Sequence, residues 1–393
     1  MREWMTARLT PYCSSIFEEM TTLARQYGAV DLGSGTPCMP VPDVAAEALA
    51  QAVAAGSNQY SPVSGEPALR RAVAHHSARF YDQRVDPLTE VSVTCGVTEG
   101  IQAAMIAFIE AGDEVVVLEP CYECYAPSIR LAGGTPVAVR LRPPDFRLDP
   151  DELAAAFSSR TKALLLNNPH NPTGKVFARD ELEEIAALCL RFDVLAIADE
   201  VYEHIIFDGR KHLRLSSLPG MWERTLTLSG ASKTFSSTGW RIGWAIGPAL
   251  LQEVLNLGRQ FSVFCAPTPL QVSIARCLEL EDGYFAGLAN EYEMRRDLLL
   301  PALASSPFLP EFEPQGSFFV LARFDPDRYV NARECCTTLA RDVGVVPVPL
   351  DSFYVDPRQP ERLIRFAFCQ PHDLLMEAGR RLSLASRAKV ACP

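Results

Sequence analysis

Ser232-Lys233-Thr234-Phe235-Ser236-Ser237-Thr238-Gly239-Trp240-Arg241-Ile242-Gly243-Trp244 is the stretch from which the rest of this 393-residue chain can be read. Just upstream, Leu226-Thr227-Leu228 is an apolar run of the length of a short buried strand. A lone lysine is ordinarily a solvated surface charge. This one follows that strand, sits among small and hydroxylated residues, and has an arginine eight positions later. Burial makes an ammonium costly, so its pKa falls and the free amine becomes a nucleophile able to form Schiff bases with carbonyl compounds. The hydroxyls, Ser232 among them, and the planar fork of Arg241 suit a phosphate group.

Four more segments extend the pattern. Ala163-Leu164-Leu165-Leu166 runs into Asn167-Asn168-Pro169-His170-Asn171-Pro172-Thr173-Gly174, and a helical pattern follows over Asp180 to Phe192. Strand, Asn/Pro/Gly loop, helix is the arrangement of an α/β ligand edge, although asparagine-proline turns are common in their own right. Val194-Leu195-Ala196-Ile197-Ala198-Asp199 ends an apolar strand in a carboxylate, which a parallel sheet places at its ligand-binding edge; a helix cap is the plainer role for such an Asp. Val91-Ser92-Val93-Thr94-Cys95-Gly96-Val97-Thr98 feeds a helical run from Ile101 to Ile109. A glycine turn before a helix offers free amides and a positive dipole end to an anion, and no Gly-Lys-Ser/Thr follows to make it a nucleotide P-loop. Finally, the strand Glu114 to Leu118 leads into Glu119-Pro120-Cys121-Tyr122-Glu123-Cys124-Tyr125.

In this order the segments resemble the class I/II aminotransferases, the fold-type I family of pyridoxal-phosphate (PLP) enzymes. The resemblance runs from about Leu9 to Phe368 and is nearest the subgroup of kynurenine, methionine and glutamine-phenylpyruvate aminotransferases and cysteine-conjugate β-lyases. It implies a Schiff base between PLP and Lys233, Asp199 on the pyridine nitrogen, and Asn171 and Tyr202 on the phenolic oxygen. It further implies Tyr122 stacked on the ring, with Gly96, Val97, Thr98, Ser232 and Arg241 around the phosphate. Leu32-Gly33-Ser34-Gly35-Thr36-Pro37 matches a segment whose second glycine, Gly35, lies against the substrate carboxylate. Asn58-Gln59-Tyr60 matches one whose tyrosine reaches the cofactor phosphate of a neighbouring subunit, implying a homodimer. On the alternating strand Arg362 to Phe368, Arg365 takes the carboxylate-clamping place and Arg362 is its local competitor. Two departures stand out: Gly230 where many relatives carry serine, and Ser34 and Thr36 where the subgroup often has Gln and Phe.

The implied fold is α/β: a large domain with a mostly parallel sheet flanked by helices, over 44–284, and a smaller α+β domain over 285–393 joined by an N-terminal arm, 1–43. The chain is too long for one small core. The arm reads as helix, short strand and a Pro-rich crossing; a long helix is expected from Pro269 to Leu303, a strand over Ser317–Leu321, and a frayed end from Ala385. A net charge of −11 argues against nucleic acid as a partner. Twelve irregularly spaced cysteines, an N-terminus without an apolar leader core, and no apolar stretch of membrane-spanning length lead us to expect a cytoplasmic protein with reduced thiols and no metal. Cys121 and Cys124, although spaced Cys-x-x-Cys, lack a second pair at zinc spacing and read as small apolar residues. The expected activity is amino transfer between an L-amino acid and a 2-oxo acid. A PLP lyase or cyclase is the alternative, because the same activated cofactor can serve either.

Overall fold

The computed structural model describes residues 4–6, 9, 15–356 and 361–385. Of the end expected to fray, only Ala385 lies among them, and it is the last residue of a helix; 386–393 lie outside the described residues. The arm begins with the helix Ile16–Tyr27, where the Ser15 side chain accepts from Phe17 N–H and Gly28 closes the last turn in the left-handed region. β1 (Val30–Asp31) follows.

Seven strands build the large sheet: β2 (Val91–Thr94), β3 (Glu114–Glu119), β4 (Thr135–Arg140), β5 (Thr161–Asn167), β6 (Leu195–Asp199), β7 (Thr225–Gly230) and β8 (Gly243–Ile246). Their order is β2-β8-β7-β6-β5-β3-β4. Neighbours pair in parallel except at β8, which runs against both β2 and β7. Leu164 and Leu166 of β5 enter one hydrophobic core and Leu165 the opposite one, so both faces of the sheet are covered. That explains why these strands read as continuous apolar runs rather than alternating ones. Asn167 pairs with Asp199 and Asp199 with Leu228, which aligns the carboxyl ends of β5, β6 and β7 along one edge.

The second sheet comes from the C-terminal part: β9 (Leu309–Pro310), β10 (Phe319–Arg323), β12 (Val348–Pro349) and β13 (Leu363–Ala367), antiparallel in the order β12-β13-β10-β9. β11 (Val345–Val346) instead pairs in parallel with β1 and ties the arm to this region. The helices Asp282–Ala304 and His372–Ala385 pack against each other nearby. The architecture is thus the expected α/β class, a mostly parallel central sheet flanked by helices.

Three expectations are corrected. The long helix is two, Thr268–Cys277 and Asp282–Ala304. A tertiary contact breaks it: Arg79 donates to Leu280 O and to Asp282 Oδ1, both at 2.8 Å, pinning the link open. The helix after β2 begins at Gly96, not Ile101, because Glu99 reaches back to the Cys95 N–H at 2.7 Å. β10 starts two residues late, since Ser317 adopts φ 57°.

Candidate active site

At the carboxyl edge of β5–β7 a cavity of about 300 Å³ collects most of the residues singled out above. Lys233 enters from the helical turn Ala231–Thr234 that follows β7. Its Nζ opens to the cavity and donates to Gly35 O at 2.9 Å. The surrounding burial, helped by Arg365 and Arg241 and opposed by Cys369 and Asp199, pushes the amine down to about 8.

Asp199 caps β6 with both oxygens engaged: the Tyr125 hydroxyl donates to Oδ2 at 2.6 Å and Val201 N–H to Oδ1 at 3.2 Å. Burial nonetheless raises its carboxyl to about 6, against the pull of those two bonds. Tyr202 is buried edge-on to Phe318 and Phe319, and burial holds its phenol well above the usual range. Asn171 is oriented from two sides. Its N–H donates to Asn167 Oδ1 at 2.7 Å, and its own Oδ1 accepts from Arg365 Nη1 at 2.8 Å.

Arg365 comes from β13 and also donates to Gly33 O at 2.9 Å. Its guanidinium lies 4.0 Å over the Phe319 ring, and its Nε has no hydrogen-bond partner among the described residues. No carboxylate among the described residues pairs with it, and burial lowers it to about 10. Arg362 is exposed and lines a different recess, so geometry separates the two candidates.

Val97, Thr98, Ser232, Thr238 and Arg241 line the other end. Here Gly96 has φ +76°, and a Cβ on it would sit 2.5 Å from Arg241 Nη2. Arg241 itself is held at φ 56°, a strained conformation for a side-chain-bearing residue. A Cβ on Gly243 would meet Gly96 C at 2.8 Å, and one on Gly230 would meet Gly243 Cα at 3.2 Å. The ends of β2, β8 and β7 therefore touch backbone to backbone. Position 230, where many relatives carry serine, offers no side chain here and is a backbone contact point.

Tyr122 lines the cavity wall at 5.8 Å from Tyr125, ring edge to ring face. Gly35, Ser34 and Thr36 line its mouth, Ser34 donating to Thr36 at 3.0 Å. Cys121 and Cys124 carry thiols that burial pushes up, as small apolar residues would. Tyr60 is not brought in: it is 82% exposed and packs edge-on against Phe264. Tyr125, Asn167 and Phe319 were not singled out from the sequence. Only the i, i+3 spacing of Tyr122 and Tyr125 hinted at the first.

An anion at the Gly96–Arg241 end, a basic ring nitrogen facing Asp199 and a carbonyl facing the Lys233 amine would each meet a complementary group. Those are the three functional parts of pyridoxal phosphate, so the residues present fit it.

Comparison with known proteins agrees. Residues 27–382 match the family described as aminotransferase class I and II. The chain is 41% identical to a probable N-succinyldiaminopimelate aminotransferase of Mycobacterium tuberculosis, covering 96% of this chain and 98% of that one. It is 38% identical to kynurenine–oxoglutarate transaminase 1 of Mus musculus, over 93% of each chain. Among solved structures, the M. tuberculosis N-succinyldiaminopimelate aminotransferase superposes with a TM-score of 0.92, covering 97% of this chain and 100% of that one.

Proposed function

The chain belongs to the aminotransferase class I and II family and is a pyridoxal-phosphate-dependent aminotransferase, and on that premise we propose that Lys233 holds the cofactor and moves the substrate α-proton while Arg365 grips the α-carboxylate. The observation carrying this reading is one cavity holding a lysine amine pushed down to about 8 and an arginine with an unpartnered Nε. Bound pyridoxal phosphate supplies an electron sink for the substrate α-carbon and carries the amino group between the two half-reactions.

The protein's part is placement and charge. Lys233, its amine pushed down to about 8 by burial, takes a proton from the α-carbon and returns it. Asp199 holds the proton of the ring nitrogen, and its bonds from Tyr125 and Val201 keep the carboxylate aimed. Tyr202 stays protonated and, with Asn171, holds the phenolic oxygen; Tyr122 covers the ring face. Thr98, Ser232, Arg241 and the amides after Gly96 hold the phosphate, as a helix N-terminus does. Asn171 Oδ1 engages Arg365 Nη1 and Gly33 O engages Nη2, leaving Nε and the second N–H of each terminal nitrogen to meet a carboxylate.

We assign a neutral side chain to the amino donor. The described cations lining the cavity are Lys233, Arg241 and Arg365. With one committed to the cofactor, one to its phosphate and one to the α-carboxylate, none remains for a second acid. Phe17, Tyr122 and Phe319 with the Ser34–Thr36 hydroxyls suit aromatic or sulfur-containing side chains instead.

The domain limits 1–43, 44–284 and 285–393 belong to the same proposal, supported by the two separate sheets; the helix Asp282–Ala304 spans the second limit. A homodimer with Tyr60 crossing the interface is supported by its exposure beside the exposed Phe261 and Phe264. A cytoplasmic location is supported by ten described cysteines, all unpaired. No helix among the described residues is long and apolar enough to cross a membrane.

The test is a single-turnover panel on the cofactor-loaded protein without oxo acid. Methionine, phenylalanine and kynurenine should convert the chromophore at least about tenfold faster than aspartate. Equal rates with aspartate would remove the neutral-side-chain assignment, and steady ammonia release would favour elimination.

A further inference from the structure

The helix Ile16–Tyr27 is held from two sides. Along its body it leans on the arm and the second-sheet region: Thr21 donates to Asp31 Oδ2 at 3.4 Å, and Arg333 pairs with Glu19. Its first turn is tied instead to the turn after β3. The Ser15 hydroxyl donates to Glu123 Oε1 at 2.8 Å while accepting from Phe17 N–H at 3.3 Å, and the Ile16 N–H also meets the Glu123 carboxylate. Glu123 is the chain neighbour of Tyr122 and is half-buried. Burial raises its carboxyl, against the pull of Ser15, Arg365 and the Ile16 N–H, so it is no freely solvated surface acid.

What this tie places is Phe17, which lines the active cavity. Its ring stands 6.2 Å from Phe353, edge-on, and 6.5 Å from Tyr122. The Arg365 guanidinium lies 5.1 Å over Phe17, 5.0 Å over Phe353 and 4.0 Å over Phe319. Phe17 thus completes an aromatic sleeve around the arginine. Such rings attract a cation and keep water from it, and a carboxylate bound in that setting is held more strongly. An acid at a helix N-terminus can also be a simple cap. Here the capped turn carries a cavity-lining ring, so seating the helix and shaping the pocket are one contact.

We propose that Glu123 is a positioning residue for the amino acid: by holding Ser15 and the Ile16 N–H it seats Phe17 over Arg365 and tightens the grip on the substrate carboxylate, a role that rests on Arg365 being that carboxylate's partner. The test follows chromophore conversion of the cofactor-loaded protein against phenylalanine concentration. Glu123→Ala should raise the half-saturating concentration about tenfold and change the limiting rate less than about twofold. Glu123→Gln keeps an acceptor oxygen for both donors and should bring the concentration back to within about twofold of the unmodified protein. In a Phe17→Ala background, Glu123→Ala should add less than about twofold. A fall in limiting rate alone, Gln as damaging as Ala, or a tenfold effect that persists without Phe17 would each overturn the role of Glu123. Arg365→Met, measured alongside, separates the two readings. If it leaves the half-saturating concentration unchanged, the carboxylate assignment falls and takes this role with it; if it raises that concentration while Glu123→Ala does not, only the role of Glu123 falls.

Discussion

Two enclosed sets of charges share one short segment and differ in how they are paired. Asp199 and Tyr202 face the active cavity. Their immediate neighbours Glu200 and Glu203 face the other way, into a network with Arg214, Ser229, His76, His204 and His212. In the network, Arg214 lies 2.8 Å from Glu203 and 3.2 Å from Glu200 and stacks 3.7 Å over Tyr81. Burial there is outweighed by partners, so Glu203 is held below its ordinary range and Arg214 above its own. In the cavity every shift runs toward loss of charge: Asp199 up to about 6, Lys233 down to about 8, Arg365 down to about 10. Opposite charges placed in contact stabilise one another and belong to the fold. Charges kept apart under the same burial are held for a ligand.

The sharpest break is Lys233→Ala. It should lower turnover by about 10⁴-fold or more, read in single-turnover assays, and borohydride should no longer fix the chromophore to the protein. Retention of a reducible adduct would place the attachment elsewhere. Next is one substitution made on both sides. Arg214→Met should cost about 3–5 kcal/mol of unfolding free energy by denaturant titration, because it strands two buried carboxylates. Arg365→Met should stay within about 1 kcal/mol while kcat/KM for amino acids falls roughly 10²–10³-fold. Equal stability losses would erase the contrast.

Asp199 gives a pH test on protein stripped of cofactor. Its carboxyl is raised in the folded state, so the native form binds the extra proton between the ordinary carboxyl range and about pH 6. Stability should therefore fall as pH rises through that window, by about 3 kcal/mol for two pK units. Asp199→Asn should flatten the slope and be the more stable protein at pH 7. The smallest effect belongs to Tyr125→Phe. Losing its bond lets the Asp199 carboxyl rise further, so the acid limb of kcat/KM should move to higher pH. At pH 8 the rate should drop less than about tenfold.

The strands of the large sheet were legible because burial on both faces leaves long apolar runs. Asp199 was legible because it ends such a run, and Lys233 and Asn171 because each lies in the turn just after one. What escaped depends on contacts distant in sequence. The Tyr125 hydroxyl meets Asp199 only after β3 and β6 take their places in the sheet. The break before Asp282 is made by Arg79 from a helix far upstream. Even Arg365 was distinguishable from Arg362 only through resemblance, since alternation puts either residue on some face; the register of β13 against β10 and β12 decides which.

Gly96, Gly230 and Gly243 set the spacing between Lys233 and the turn we assign to the phosphate by close main-chain contact. A Cβ on Gly230 or Gly243 would run into main-chain atoms, so substitution there has no graded way to adjust that span. Divergence in what the protein accepts must accumulate at the cavity mouth, around Ser34 and Thr36, where hydroxyls can be exchanged without moving a strand.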